Sequence, residues 1–300
     1  MRILLTGAAG QVGTEFQRAS AHLGEIIALD RSQCDLSNPE SIRNAVRSIK
    51  PHVIVNAAAY TAVDKAESER DKAFAVNAVA PGVLAEEARS LNALLIHYST
   101  DYVFDGSKTS PYEEDDATNP LGEYGRSKLM GEKRISASGA RAVTLRTSWV
   151  YGSHGKNFLL TILRLARQRP ELKIVADQFG SPTAARDIAR ATVRIIEQQS
   201  SPVHPNGRET PPNGIYHMTA QGVTSWFGFA QAIVDRAELP NSPQIVPIPS
   251  SDYPTPAQRP ANSAMSNKKF ESDFGFRLPA WQDTLSEVML ELTEPAVPRH

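Results

Sequence analysis

Cysteine is nearly absent from this chain of 300 residues, which contains Cys34 alone. An intramolecular disulfide is therefore impossible, and the composition is not that of a small secreted domain stabilised by disulfides. The compartment that this composition favours is a reducing cytoplasm. Cys34 lies in RSQCDLS with no histidine or second cysteine nearby, so we interpret it as a small packing residue.

The chain also lacks an excess of charge and a long hydrophobic run. Its formal net charge is −1, which argues against a nucleic-acid surface or a polybasic membrane-binding patch. No stretch approaches the roughly 20 apolar residues that a membrane-spanning helix needs. The seven histidines are scattered without ligand-like spacing, so we predict no catalytic metal.

Short apolar runs alternate with helical patterns through the first half of the chain. Strands are predicted at residues 3–5, 25–29, 53–55, 94–98 and 142–146, and helices at 11–22, 39–49, 71–91 and 120–136. Asn38 or Ser37 should cap the helix that Pro39 opens. Strands that are each followed by a helix indicate βαβ units. We therefore expect an α/β fold with a Rossmann-like, doubly wound parallel sheet.

The pattern loosens after about residue 150. Helices are predicted at 157–168 and 184–199, and the second should pack back on the sheet. Residues 200–214 are rich in turn-forming types and predict an exposed loop, while the proline-rich stretch 240–260 should be largely extended. We predict a Rossmann domain of residues 1–150 plus the helix at about 184–200. A smaller, loop-rich C-terminal lobe of residues 151–183 and 214–300 is interleaved with it.

Gly7, Gly10 and Gly13 are spaced GxxGxxG between the first strand and the first helix. In this context backbone N–H groups at a helix N-terminus can meet a pyrophosphate. A glycine-rich packing turn is the alternative, since the usual spacing is GxGxxG. Asp30 ends the second strand, where a carboxylate can hold the adenosine ribose hydroxyls and favours NADH. The adjacent Arg31 can instead meet a 2′-phosphate, so the choice between NADH and NADPH stays open.

Tyr124 and Lys128 lie four residues apart on a predicted helix. By itself such a pair is equally an exposed helix contact. The position of the pair favours a catalytic role, because ligands of open α/β folds bind at the carboxyl edge of the sheet. Tyr124 can act there as acid–base, while Lys128 should lower the pKa of the phenol and hold nicotinamide-ribose hydroxyls. Ser99 and Thr100 are candidates for a hydroxyl partner, although a turn or helix cap is a competing interpretation.

Taken together, these features resemble the extended short-chain dehydrogenase/reductase family. The resemblance spans nearly the whole chain and rests on TGAAGQVG, NAAAYTAVDKAE, HYSTDYVFDG, YGRSKLMGEK, RTSWVYG, NFLLTILRLA, DQFGSPT and YPTPAQRPANS. These stretches are most similar to the branch that reduces a dTDP-linked 4-keto-6-deoxy sugar in the last step of dTDP-L-rhamnose synthesis. The resemblance implies hydride delivery from NADPH or NADH to sugar C4, with Tyr124 protonating the oxygen.

The resemblance also implies roles for particular residues. The catalytic residues are Tyr124, Lys128 and Thr100. The cofactor-binding residues are Gly7, Gly10, Gln11, Val12, Gly13, Asp30, Asp35, Leu36, Ala59, Tyr60, Thr61, Tyr124 and Lys128. The substrate-binding residues are Thr100, Asp101, Trp149 and Arg259. Trp149 can alternatively be a core residue, and Arg259 can either meet a substrate phosphate or cap a helix.

Some members of the family dimerise around Mg²⁺ held by acidic residues of three helices. Glu15 and Glu291 can occupy two of those places in this chain. The third helix reads AARDIARA, where Arg186 and Arg190 surround Asp187. Because these basic residues disfavour a cation site, a bound Mg²⁺ is doubtful, and a monomer and a homodimer are both open.

Two other functions also stay open. An epimerase of the same fold would keep NAD bound, and the sequence does not exclude it. A 4,6-dehydratase would place a glutamate after Asp101, where Tyr102 stands. Related proteins also serve as non-catalytic, NADP-binding regulatory subunits of methionine adenosyltransferase. The intact Thr100, Tyr124 and Lys128 favour an enzyme.

Overall fold

A six-stranded parallel sheet forms the centre of the computed structural model, which describes residues 1–200 and 212–293. The strands are β1 (Arg2–Thr6), β2 (Glu25–Leu29), β3 (Val53–Asn56), β4 (Leu94–Thr100), β5 (Ala142–Thr147), β6 (Val150–Tyr151), β7 (Glu171–Val175), β8 (Phe179–Gly180), β9 (Thr183–Ala184), β10 (Gly214–His217), β11 (Thr224–Ser225) and β12 (Gln244–Ile248). The central order is β10-β5-β4-β3-β1-β2, with every pairing parallel. The predicted fold class is confirmed.

Helices cover both faces of this sheet and build the second lobe. They are α1 (Gln11–Ala19), α2 (Pro39–Ile49), α3 (Val63–Ala66), α4 (Arg70–Phe74), α5 (Ala80–Ser90), α6 (Glu123–Ser138), α7 (Phe158–Ala166), α8 (Ala185–Ser200), α9 (Trp226–Asp235), α10 (Lys268–Phe274) and α11 (Trp281–Thr293). Within the described ranges, none of them has both the length and the apolar character that a membrane span requires.

Helix α2 begins where the sequence predicts. The Asn38 side chain accepts hydrogen bonds from the backbone N–H groups of Glu40 and Ser41, and Pro39 occupies the first turn. Proline costs nothing there because its missing N–H would have had no partner within the helix. The choice left open between Asn38 and Ser37 is thereby settled in favour of Asn38.

The predicted helix over residues 71–91 is confirmed in its extent, since the chain is helical without interruption from Arg70 to Ser90, but it is not α-helical throughout. Helix α4 is followed by a π-helical turn, Ala75–Val79, before α5 starts. Pro81 explains this turn, since its ring would clash with the carbonyl of Asn77 in a regular α-helix. The Asn77 carbonyl packs instead against Gly131 of α6, where a Cβ would lie only 2.2 Å from it.

Two segments of the C-terminal half differ from the simple pattern expected of them. The predicted loop over 200–214 falls mostly outside the described residues, but Gly214 begins β10, a sixth strand of the central sheet. The stretch 240–260 is extended over β12, which pairs in parallel with β7, and then forms a 3₁₀ turn at Ser250–Asp252.

Separate apolar clusters lie against the sheet and within the lobe. One cluster joins Ile3 of β1 and Phe16 of α1 to Ile188 of α8, so α8 returns to the sheet after the chain has left it. A second cluster joins Leu159 of α7, Phe229 of α9 and Leu285 of α11. Burial of each such side chain contributes about 1.5–3 kcal/mol. The segments that follow residue 150 therefore have a packed interior of their own.

Candidate active site

The turn between β1 and α1 requires glycine at two of its three glycine positions. Gly7 has a φ of 73°, and a Cβ there would lie 2.5 Å from the backbone nitrogen of Ala58. A Cβ on Gly13 would lie 2.1 Å from the Gly7 carbonyl oxygen. Gly10, the N-cap of α1, has more room, with its nearest neighbour at 3.2 Å. The turn brings the N–H groups that open α1 to the sheet edge, where a pyrophosphate fits.

A cleft of about 410 Å³ opens beside this turn, between the ends of β1, β2 and β3. Its size suits a nucleotide moiety. The predicted cofactor residues in its lining are Gly7, Gly10, Asp30, Asp35, Leu36, Ala59 and Tyr60. Thr61 is exposed and lies beyond that lining. The Gln11 side chain turns toward the lobe, where its Oε1 accepts from Asn157 at 2.8 Å, and Val12 packs against the core.

Asp30 and Asp35 each cap their own turn at the exposed end of the cleft. Asp30 Oδ1 accepts from the hydroxyl of Ser32 at 2.6 Å, and Asp35 Oδ1 accepts from the hydroxyl of Ser37 at 2.7 Å. These hydrogen bonds hold the pKa of both carboxyl groups below the ordinary value. Arg31 lies 3.9 Å from Asp35 Oδ1. The Asp35 carboxylate and the Arg31 guanidinium thus lie close together. Because a carboxylate at this place favours NADH and a guanidinium favours NADPH, the structure is compatible with both cofactors.

The loop after β3 is held by Asn77, a residue that sequence reasoning missed. Asn77 Oδ1 accepts from the backbone nitrogen of Tyr60 at 2.8 Å, and its Nδ2 donates to the Tyr60 carbonyl at 3.0 Å. The same Nδ2 donates to Ser127 Oγ at 3.0 Å. Ser127 lies on α6 between Tyr124 and Lys128, so this amide ties the cofactor loop to the helix of the catalytic candidates. The available signal was a polar residue within a buried helical stretch.

Tyr124 lies in the first turn of α6, partly buried, beside the end of β4. Burial raises the pKa of its phenol to about 12, and a hydrogen bond with the Thr100 hydroxyl acts in the opposite direction. The Tyr102 ring packs edge-on against it, with 5.5 Å between centroids. We predicted that Lys128 would lower this pKa, but the shift is upward, and the group that acts against burial is Thr100 and not Lys128. The phenol is therefore protonated at neutral pH and can serve as a proton donor.

The two hydroxyl groups at the end of β4 make different contacts. Ser99 donates to Glu132 Oε1 at 2.5 Å, within the core behind α6. Thr100 donates to Asp101 Oδ1 at 2.9 Å and is the hydroxyl that interacts with Tyr124. Of the two candidates, the structure places Thr100 at the site and Ser99 away from it.

Asp101 is a buried carboxyl group at the same strand end. Burial is the main cause that raises its pKa to about 6, and the hydroxyl groups of Ser263 and Thr100 act against that shift. Its Oδ2 is buried without a hydrogen bond of ordinary geometry among the described residues. Buried polar atoms are nearly always bonded, and the Ser263 hydroxyl, which acts on the pKa of this carboxyl group, is the neighbour able to bond it.

Lys128 is buried on α6, with its ammonium behind the site. Its Nζ lies 2.5 Å from the Tyr98 carbonyl oxygen and 3.4 Å from His97 Nε2. Burial lowers the pKa of the ammonium to about 8, and Glu132 acts in the opposite direction. The side chain is thus held by two groups of β4 and is mainly charged at neutral pH.

Trp149 belongs to an aromatic stack and not to the sheet core. Its ring lies parallel to that of Trp226, with 3.5 Å between centroids and 6° between planes. Its backbone has a φ of 48°, in the left-handed region. A Cβ on Gly180 would lie 2.6 Å from the Trp149 ring. Trp226 comes from a different element and was not predicted, since nothing in its local sequence signals the contact.

Arg259 links the C-terminal lobe to the loop after β3. Its guanidinium lies 3.0 Å from Asp64 Oδ2 and donates to the Ala257 carbonyl at 3.1 Å. The Ala257 backbone nitrogen donates in turn to Asp64 Oδ1 at 3.2 Å. The helix-capping interpretation is therefore not what the structure shows.

The acidic residues considered for Mg²⁺ are engaged with cationic side chains. Glu15 lies 2.5 Å from Arg18 and 2.9 Å from His154, and Glu291 lies 2.6 Å from Arg186. In residues 1–200 and 212–293, no three carboxylate, imidazole or thiol groups come together as a metal site would require.

A glycine turn at the first strand of a parallel sheet, with Thr100, Tyr124 and Lys128 at its carboxyl edge, defines a nucleotide-binding oxidoreductase of the short-chain class. Comparison with known proteins narrows the class. The family model described as RmlD substrate binding domain matches residues 1–294. A dTDP-4-dehydrorhamnose reductase of Burkholderia thailandensis is 50% identical over 288 residues, covering 94% of this chain and 96% of the relative.

Two solved structures agree with that result. A dTDP-4-dehydrorhamnose reductase from Clostridium acetobutylicum superposes with a TM-score of 0.91 at 35% identity, covering 98% of this chain and 100% of the other. The reductase of Bacillus anthracis, in complex with NADP, superposes with a TM-score of 0.89 at 32% identity, covering 97% and 99%. The chain belongs to the dTDP-4-dehydrorhamnose reductase family.

Proposed function

We propose that this protein reduces dTDP-4-dehydro-L-rhamnose (dTDP-6-deoxy-L-lyxo-4-hexulose) to dTDP-L-rhamnose with NADPH or NADH. The observation that carries the proposal is the meeting of Thr100, Tyr124 and Lys128 at one sheet edge, in a chain whose relatives bear this activity in their names over nearly full length. The Bacillus anthracis relative was solved with NADP, which supports a nicotinamide cofactor here.

The cleft beside the glycine turn fits such a cofactor, because its lining joins the glycines at the end of β1 to the carboxylates of Asp30 and Asp35. Gly7 and Gly13 keep the turn in shape, since a Cβ at either position would strike the protein backbone. The proposed contacts are Gly7, Gly10, Gln11, Val12 and Gly13 at the pyrophosphate, Asp30, Asp35 and Leu36 at the adenosine, Ala59, Tyr60 and Thr61 after β3, and Tyr124 and Lys128 at the nicotinamide ribose. When bound, the reduced nicotinamide supplies the hydride for sugar C4.

Tyr124 donates its phenolic proton to the oxygen on C4 as that oxygen gains negative charge. The Thr100 hydroxyl, which donates to Asp101 in the free protein, turns to donate to the same oxygen and orients it. The Lys128 ammonium, as a positive charge on the same helix, favours the phenolate that remains after the transfer. Positioned proton transfer of this kind contributes about 10²–10⁴-fold to a rate.

The sugar would lie between the sheet edge and the lobe. Asp101 offers its carboxyl group to a sugar hydroxyl, Trp149 offers an aromatic face, and Arg259 offers a guanidinium close to the same edge. In this assignment, residues 1–150 and the helix at about 184–200 bind the cofactor. Residues 151–183 and 214–300 form the substrate-binding lobe, interleaved with that domain.

The proposed setting follows from composition and chemistry. One cysteine and a nucleotide-sugar substrate fit an enzyme of the cytoplasm. The expected partner is the dTDP-sugar, with neither nucleic acid nor membrane involved. The assembly is a monomer or a homodimer, and sedimentation of the purified protein would distinguish them.

The test is oxidation of NADPH and of NADH, followed by nicotinamide absorbance, with the keto sugar generated in situ from dTDP-glucose by the upstream enzymes. Oxidation that requires the complete upstream set would establish the activity and rank the two cofactors. If protein that has been shown to bind NADPH does not oxidise it in the presence of the complete upstream set, the reductase proposal fails. Co-purification with a methionine adenosyltransferase would then favour the regulatory role.

A further inference from the structure

Four buried polar side chains form a row that crosses three strands of the sheet and ends at Lys128. Thr6, Asn56 and His97 are direct neighbours in register on β1, β3 and β4. Thr6 Oγ1 lies 2.7 Å from Asn56 Oδ1, Asn56 Nδ2 lies 3.0 Å from His97 Nδ1, and His97 Nε2 lies 3.4 Å from Lys128 Nζ. Each side chain belongs to a residue no more than 2% exposed. Because unbonded polar groups at this depth are costly, the hydrogen bonds of the row must be mutually consistent.

The charge of Lys128 sets the direction of these hydrogen bonds. An ammonium has three N–H donors and no acceptor, so it can bond His97 only if Nε2 carries no proton. Burial, together with the charge of Lys128, lowers the pKa of His97 well below its ordinary value, and the ring is neutral. The single proton of a neutral imidazole must then sit on Nδ1.

A proton on Nδ1 needs an acceptor, and Asn56 is the neighbour in place. The amide must then present its oxygen to His97 and its NH₂ to Thr6 Oγ1, which a half-turn of the amide achieves because its two ends have the same shape. The opposite orientation puts the imidazole proton on Nε2 and requires a neutral Lys128. With a pKa of about 8, Lys128 is mainly charged at neutral pH, which favours the first arrangement.

We propose that His97 is a positioning residue for Lys128, and that Asn56 and Thr6 hold it in the Nδ1-protonated tautomer. The Tyr98 carbonyl takes a second N–H of the ammonium at 2.5 Å, so one N–H remains to point into the site. The hydrogen bonds of the row thus hold the Lys128 ammonium, which would otherwise rotate freely, in one orientation. The hydrogen-bonding assignment rests on these distances and on the charge of Lys128, while its catalytic consequence rests on the proposed function.

The tautomer can be observed directly in the full-length protein at neutral pH. In histidine labelled with ¹⁵N, Nε2 couples strongly to both carbon-bound ring protons and Nδ1 to only one, which tells the two nitrogens apart. The nitrogen chemical shifts then show which of the two carries the proton. The resonances of His97 are identified through the peptide bond that joins it to Tyr98. We expect the proton on Nδ1 and an unprotonated Nε2. A proton on Nε2 would overturn the proposal, whatever the enzyme turns over.

A matched pair of variants tests the consequence for Lys128. The amide of His97→Gln reaches the position of Nε2 and can accept from Lys128, whereas that of His97→Asn reaches only the position of Nδ1. We expect kcat to fall about tenfold in His97→Asn, the effect of one lost hydrogen bond to a charged group, and to stay within about threefold of wild type in His97→Gln.

The pH profile separates positioning from a purely structural effect. The groups that face the ammonium are His97 and the Tyr98 carbonyl from β4 and Glu132 from its own helix. Without the acceptor of His97, the charged form is less favoured, so the alkaline limb of kcat should move to lower pH in His97→Asn and stay in place in His97→Gln. Equal profiles in both variants would contradict the proposal. If His97→Asn does not fold, as judged by circular dichroism, the tautomer measurement decides alone.

Discussion

The side of the site proposed to bind the cofactor and the side proposed to bind the substrate, called the cofactor side and the substrate side below, are built in different ways. The cofactor side is mainly backbone at the ends of β1, β2 and β3, and its shape depends on Gly7 and Gly13. The substrate side consists of side chains from distant parts of the chain, such as Trp149 stacked on Trp226. The first depends on local chain geometry, and the second depends on how the lobe packs against the sheet.

This difference predicts which of the two binding steps a given substitution should weaken. Added atoms at the glycine turn should weaken cofactor binding, since the turn has no room for them. Removal of atoms from the aromatic stack should weaken substrate binding and leave the cofactor unaffected. Tyr124 and Lys128 lie where the two sides meet, so their loss should affect chemistry more than either binding step.

The largest effect is expected at that meeting point. Tyr124→Phe should lower kcat about 10³-fold while the affinity for NADPH is retained, because only the proton donor is removed. Steady-state kinetics and fluorescence titration of the cofactor measure the two quantities. Tyr102→Phe is the matched control, since that ring touches Tyr124 edge-on, and it should keep most of the activity. Full activity in Tyr124→Phe would show that the acid is another group.

The next effect tests the cofactor side. Gly13→Ala places a Cβ 2.1 Å from the Gly7 carbonyl oxygen, so the turn must open. We expect a loss of stability of roughly 1–3 kcal/mol and a weakened affinity for NADPH, measured by thermal unfolding and by titration. Gly152→Ala is the control, because its Cβ would meet nothing closer than 3.6 Å. Equal affinities in the two variants would refute the role given to the turn.

A smaller effect tests the substrate side. Trp226→Ala removes the partner of the Trp149 ring, and an aromatic pair contributes about 0.5–1.5 kcal/mol beyond its buried area. The KM for the keto sugar should rise roughly three- to tenfold, with no change in NADPH affinity. Trp226→Phe should restore part of the loss. A change in cofactor affinity instead would mean that the two sides are not separate.

The smallest effect concerns the dependence of stability on pH. Burial lowers the pKa of Lys128 to about 8 in the folded protein, against about 10.4 in the unfolded chain. Above pH 8 the unfolded state therefore binds more protons, and this lysine makes stability rise with pH by at most about 1.4 kcal/mol per pH unit. The difference in unfolding free energy between wild type and Lys128→Met should grow between pH 8 and 9.5 in favour of wild type. A constant difference, measured by urea unfolding, would show that the ammonium is not desolvated.

Much of the cofactor side could be predicted from sequence because its determinants are local. Strand patterns, the glycine spacing and the Asn38 cap each involve residues close together in the chain. The π-helical turn before Pro81 was missed, although the proline was visible, because the partner that makes the turn favourable is Gly131 on another helix. Asn77, within that turn, was missed for the same reason.

The residues proposed for the substrate side were named from the family resemblance, but their contacts could not be predicted, because those contacts join distant segments. Trp149 meets Trp226, and Asp64 meets Arg259, across separations that no local pattern reports. The choice between Ser99 and Thr100 likewise depends on Glu132 of α6, which takes the Ser99 hydroxyl. Strand β10 was missed because its pairing with β5 is visible only in the folded sheet.

The measurement that tests the central claim most directly is the fate of the transferred hydride. The protein would be incubated with the keto sugar and NADPH carrying deuterium at nicotinamide C4, on each face in turn, and the product examined by NMR. We expect dTDP-L-rhamnose with one deuterium at sugar C4 from one of the two labelled cofactors, and one NADP⁺ formed per sugar. An altered sugar without deuterium and without consumption of NADPH would contradict the account and indicate an epimerase with permanently bound NAD.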